Sequence, residues 1–165
     1  MMLLITLVVI TQSFGIQGAV DIVLEDTECP FYDKEYFLEP EVFVNNQNQF
    51  ASNITIIKQL PIETQGHLTI LAASMGEYVV STGIDQTVDL CDIMEDPIVS
   101  APFLSAIGFS QDHCPPEIGH YGTEGYVLDP EALADRVPPN QYMLNITLSY
   151  EEKILLLCQS FIKVN

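Results

Sequence analysis

Between residues 141 and 150 the chain alternates without a break. Tyr142, Leu144, Ile146, Leu148 and Tyr150 fall on one side, Met143, Asn145, Thr147 and Ser149 on the other. Successive strand side chains point to opposite faces, so this pattern predicts an antiparallel strand with one face in a core and the other towards water. The same period recurs elsewhere. Residues 53–60 set Ile54 and Ile56 against Asn53 and Thr55, and residues 66–73 bring Leu68 and Ile70 together. Residues 77–82 are a short Tyr/Val-rich run, and 88–93 predict a further strand that carries Cys91. The last run, 153–164, is nearly all apolar, with Ile154, Leu156, Cys158, Ser160 and Ile162 on one side. Residues 36–44 and 20–24 add strands towards the N-terminal end. Gly76, Gly83, Gly125 and the Pro138-Pro139 pair punctuate these runs as turns. Short strands between turn signals favour a two-sheet antiparallel β-sandwich or an open β-cup.

One segment departs from this rhythm. Over 97–110, Val99, Phe103, Ala106 and Ile107 recur at spacings of three and four, the period of a helix. Pro97 suits a first helical turn, while Pro102 limits the helix to one or two loose turns. Cys91 and Cys114 bracket this segment, which reads as a helical lid; residues 129–135 predict one more turn.

Residues 1–18 are apolar, and no charge precedes Asp21. The compact core of Leu3 to Ile10, followed by small residues at Ser13, Gly15, Gly18 and Ala19, predicts a secretory signal over 1–19, although the basic start is missing. The run is short of the roughly 20 residues a membrane helix needs. The remainder, 20–165, is long enough for one domain with its own core. Export suits its four cysteines, Cys29, Cys91, Cys114 and Cys158, an even number that an oxidising compartment closes in one of three connectivities. It also suits two glycosylation triplets, Asn53-Ile54-Thr55 and Asn145-Ile146-Thr147. The alternation of 141–150 places Asn145 on the outer face, where a glycan has room.

Charge narrows the partners. Five basic against 23 acidic residues leave a formal charge of −18, which repels phosphate and argues against nucleic acid. The acids are scattered along the chain and read as a solvated surface. Catalytic constellations are missing. His113 and His120 flank Cys114, but a closed zinc site needs about four ligands. His67, His113 and His120 with nearby serines lack a nucleophile elbow. Asp89, Asp92, Glu95 and Asp96 lack the glycine and the terminal glutamate of a helix–loop–helix calcium site. These residues point to no enzyme, no metal and no cofactor.

The order Val88-Asp89-Leu90-Cys91, amphipathic segment, Cys114-Pro115, Gly119-His120-Tyr121, Leu128-Asp129, Val137-Pro138-Pro139 and the 142–150 strand resembles secreted arthropod proteins related to the ganglioside activator. These belong to the wider ML lipid-recognition superfamily, with the Niemann–Pick type C sterol carriers. The resemblance spans Cys29 to the C-terminus and is best over 88–150. It implies a cup of two splayed sheets around an apolar cavity that holds an acyl chain or similar lipid without catalysis; some insect relatives are linked to chemosensation. It also implies pairing of Cys29 with Cys158 and of Cys91 with Cys114, the second bond anchoring the lid. The chain departs from the ganglioside activators in having fewer cysteines.

The resulting expectation is a secreted carrier of a hydrophobic small molecule or lipid, with an extracellular receptor as a further partner. The expected cavity wall is Ile54, Ile56, Leu68, Ile70, Tyr142, Leu144, Ile146 and Leu148, with Val99, Phe103, Leu104 and Ile107 at the lid. The rival expectation is a closed extracellular sandwich that recognises another protein through its surface and spends these side chains on its core.

Overall fold

A computed structural model describes residues 21–93, 100–127, 129 and 137–165. The expected signal over 1–19, Val99, and the turn over 129–135 apart from Asp129 lie outside the described residues. The chain is mainly β and forms two antiparallel sheets. The larger has five strands in the order β1 (Ile22–Tyr32), β8 (Lys153–Val164), β7 (Asn140–Tyr150), β4 (Gln65–Ser74) and β5 (Glu77–Asp89). The smaller has three, in the order β2 (Glu41–Val44), β3 (Phe50–Ile56) and β6 (Gly119–Tyr126). β1 and β2, edge strands of the two sheets, lie beside one another. On the other side the chain crosses from β5 to β6 through two short helices, α1 (Leu90–Ile93) against β4 and β5, and α2 (Ser100–Ala106) against β6.

Local chemistry explains the frame. β7 is the uninterrupted alternation read from the sequence. The β4–β5 hairpin turns on Met75 and Gly76, both with positive φ (53° and 86°), a two-residue turn whose twist matches the flanking strands. Both expected disulfides form: Cys29–Cys158 joins β1 to β8, and Cys91–Cys114 ties α1 to the approach to β6.

Several expectations are corrected. The predicted strands 77–82 and 88–93 are not separate: β5 runs unbroken to Asp89, and Cys91 sits in a helical turn instead of a strand. The chain leaves the ladder at Leu90, whose N–H donates to the Thr64 carbonyl at 2.9 Å and whose side chain is buried. Gly83 is no hairpin turn. It lies at φ +85° inside β5, where Thr82, Gly83 and Ile84 bulge opposite Ile70 and the Thr82 hydroxyl donates to the Ile70 carbonyl at 2.8 Å. Gly125 likewise lies within a strand, β6. Of 36–44 only Glu41–Val44 is a strand, while Phe37 makes an isolated bridge to Ile56. A register shift in the β7–β8 pair puts Ile154 opposite Ser149, on the outer face, and leaves it 43% exposed; Leu155 beside it is fully buried.

The core is divided. A first cluster joins Phe37, Ile54, Ile56 and Leu60 to Leu148, Leu155 and Leu156 of the larger sheet, with Leu90, Ile107 and Phe109 from the connection between β5 and β6. A second cluster consists of Ile70, Ala72, Tyr142, Ile162 and Val164, all on the larger sheet, and Val137 just before β7. No residue of the smaller sheet enters it among the described residues.

Candidate functional site

Residues directly opposite on neighbouring antiparallel strands share a face, so the register orders the inner face of the larger sheet into rows. One row is Ala72, Tyr142, Ile162 and Leu24; the next is Ile70, Leu144, Ser160 and Thr27. Then come Leu68, Ile146 and Cys158, and finally Gly66, Leu148, Leu156 and Tyr32. The first two rows feed the second cluster and the last feeds the first cluster. Leu68 and Ile146 stand between. Both lie on the inner face of central strands, yet they are half-buried and, among the described residues, belong to neither cluster. A sandwich packed evenly along its length would seal that position first, because central strands have neighbours on both sides.

The expected wall therefore separates into three groups. Ile54, Ile56 and Leu148 are buried in the first cluster; Ile70 and Tyr142 are buried in the second, with Leu144 packed against it. Among the described residues of the expected wall, Leu68 and Ile146 alone belong to neither cluster. Tyr142 is anchored by its hydroxyl, which donates to the Pro138 carbonyl, and burial raises its phenol pKa.

The described part of the lid is fastened to the smaller sheet. Phe103 of α2 stands edge-on to Phe50 of β3 at 5.3 Å and to Tyr126 of β6 at 5.4 Å. Phe109 meets Tyr121 at 4.8 Å in the same geometry, and the Gly122 N–H donates to the Ile107 carbonyl at 2.8 Å. Edge-to-face pairs contribute about 0.5–1.5 kcal/mol each beyond their buried area. Leu104 is half-buried against the first cluster, whereas Ile107 is 3% exposed and part of it. Ile107 is thus a structural residue of the lid, and Phe103 is its aromatic contact with β3 and β6. On the far side Ile93 of α1 lies over Gly66, where a Cβ would meet its Cδ1 at 2.1 Å.

The outer faces carry the polar groups. Asn145 sits in a ladder, its amide donating to Thr69 Oγ1 at 3.2 Å and accepting from Gln159 Nε2 at 2.9 Å. Asn53 is exposed beside an open groove of about 450 Å³ lined by Glu41, Phe43, His120, Gly122 and Glu124. The histidines are dispersed: His67 pairs with Asp85, His113 with Glu117, and His120 with the Thr55 hydroxyl. At the first-cluster end Lys153 pairs with Asp33 and Lys58 with Glu35, each lysine also lying over the Tyr36 ring. Those hydrogen bonds hold both carboxyl groups below their usual range.

The pattern missed Phe37, Leu60, Leu90 and Leu155 because each is buried by tertiary packing outside a clean alternation. No helix among the described residues is long and apolar enough to cross a membrane. Comparison with protein-family models and with curated proteins gives no match to this chain.

Proposed function

We propose that this protein is a secreted, glycosylated, non-enzymatic carrier that holds a hydrophobic ligand between its two sheets, in the manner of the ML lipid-recognition proteins it resembles. The observation that carries this reading is the half-buried pair Leu68 and Ile146 on the inner face, between two apolar clusters of which, among the described residues, only the first joins both sheets. An acyl chain laid along that interval removes apolar surface from water on both partners. At about 0.8 kcal/mol per buried methylene, a dozen methylenes contribute roughly 10 kcal/mol before association costs. Micromolar binding, about −8 kcal/mol, is then within reach if the cup is preformed. The two disulfides suit export, and Asn53 and Asn145 are the glycan positions.

Native mass spectrometry of the protein secreted from eukaryotic cells tests this reading. The expected result is loss of the leader, two disulfides, glycan mass, and a lipid-sized adduct released by activation. A ligand-free protein that also takes up no added lipid would refute the carrier. One feature favours the rival: edge strand β5 exposes Val79 and Val80 at 64% and 46%, a surface suited to an extracellular partner protein. That reading predicts partner binding with no lipid uptake.

A further inference from the structure

The outer face of the smaller sheet is bare beside its middle strand. Asn53 of β3 stands opposite Glu41 of β2 on one side and Gly122 of β6 on the other, so the three form one row. Gly122 offers no side chain. A Cβ there would meet the Ser52 carbonyl oxygen at 2.1 Å, so no larger residue fits without moving β3. The surface next to Asn53 therefore stays open down to the backbone, within the groove of about 450 Å³. Its walls carry the carboxylates of Glu41 and Glu124 and the ring of Phe43, which is 53% exposed.

This groove surrounds a glycosylation acceptor. Asn53 opens the triplet Asn53-Ile54-Thr55, is itself exposed, and lines the groove. Its amide reaches Glu41 Oε2 only at 3.5 Å, too long to hold it firmly. Asn145 of the second triplet is half-buried and engaged by both Thr69 and Gln159. We propose that the groove is the seat of the glycan carried by Asn53, whose first sugar ring lies beside Gly122 and against Phe43. Transfer from a lipid-linked oligosaccharide diphosphate replaces one Nδ2 proton by the anomeric carbon and releases the diphosphate. The remaining N–H still donates towards Glu41.

The walls suit this occupant. A pyranose has a C–H face, which removes the Phe43 ring from water, and hydroxyl groups, which donate to the carboxylates. Among the described residues neither Glu41 nor Glu124 enters an ion pair, so both keep acceptors for those hydroxyls. A free saccharide would lose its translational freedom on binding so open a surface. A sugar already bonded to Asn53 is held there at high effective concentration. The inference rests on the export and glycosylation in the proposed function and is independent of lipid carriage.

Two measurements on the full protein secreted from eukaryotic cells test it. The first is the rate at which peptide N-glycosidase releases the Asn53 glycan from the folded protein, followed by mass spectrometry. Phe43→Ala should speed that release about fivefold, the worth of roughly 40 Å² of ring face left uncovered. The second is thermal unfolding of Asn53→Gln, alone and combined with Phe43→Ala. Loss of the glycan should lower the unfolding temperature by about 2–4 °C in the unaltered background and by much less once Phe43 is gone. Equal release rates with and without the ring, or an Asn53→Gln effect undiminished in the double variant, would overturn the seat and leave an exported glycoprotein standing. An unmodified Asn53 in the secreted protein would overturn the seat outright. Failure of the chain to be exported would overturn both readings.

Discussion

The two ends of the sandwich are built differently. At one end both sheets and the helical connection meet in the first cluster, which Cys29, Cys114 and Cys158 also pack against. At the other, the second cluster draws on the larger sheet and Val137 alone among the described residues. The contrast separates two tasks that one core usually combines. Burial at the first end joins the two sheets, and on the proposed carrier reading the interval around Leu68 and Ile146 is left for a ligand. A carrier needs this division, because a side chain that completes the core is not free to be replaced by lipid.

The strongest way to break the comparison is through the crosslinks. Cys29–Cys158 spans 129 residues and Cys91–Cys114 only 23. Loop entropy assigns about 5 kcal/mol to the first and about 3 kcal/mol to the second. Urea unfolding of the paired serine variants should show that order. A reversed order would mean that the helical connection, and not the joined end, governs stability.

Truncation sharpens the contrast. Leu155→Ala at the fully buried first-cluster position should cost about 3 kcal/mol. Ile146→Ala, on a central strand but outside both clusters, should cost less than about 1 kcal/mol and still weaken Nile red binding. Equal costs in chemical denaturation would erase the distinction between the ends.

The smallest effect concerns pH. Asp33 sits below its usual value of 3.8, chiefly through the hydrogen bond from Lys153, and its N–H binds the Leu155 carbonyl at the first end. A carboxyl with a lowered folded pKa contributes stability that is complete above the unfolded value and lost as pH falls through the folded one. Asp33→Asn should therefore lower the melting temperature slightly at neutral pH, and the difference should fade as pH falls below the ordinary carboxyl value of 3.8. A difference that persists in acid would assign the effect to packing.

Much of this frame is legible in the pattern of residues. The 142–150 alternation maps directly onto β7, and the spacing of three and four over 97–110 anticipates the described helix at Ser100–Ala106. What stays illegible depends on contacts distant in sequence. The Gly83 bulge reads as a turn because glycine at positive φ serves either purpose, and β6, rich in glycine, carries little apolar alternation. The wall shows the same limit. Alternation identifies the inward residues, but it does not tell Ile54, which joins the first cluster, from Ile146, which joins neither. The burial of Ser52 is hidden for a related reason: a serine in a strand gives no sign that it is buried and, among the described residues, without a partner for its hydroxyl.

The most direct test of the interval is to fill it. Ile146→Trp places a large ring where the account has room for a hydrocarbon tail, whereas overpacking a closed core costs about 1–3 kcal/mol. Nile red titration and thermal unfolding should be measured on the same two proteins. The carrier function predicts saturable binding by the unaltered protein and its loss in Ile146→Trp, at an equal or higher unfolding temperature. Unchanged binding in the variant, or the destabilisation typical of an overpacked core, would contradict it.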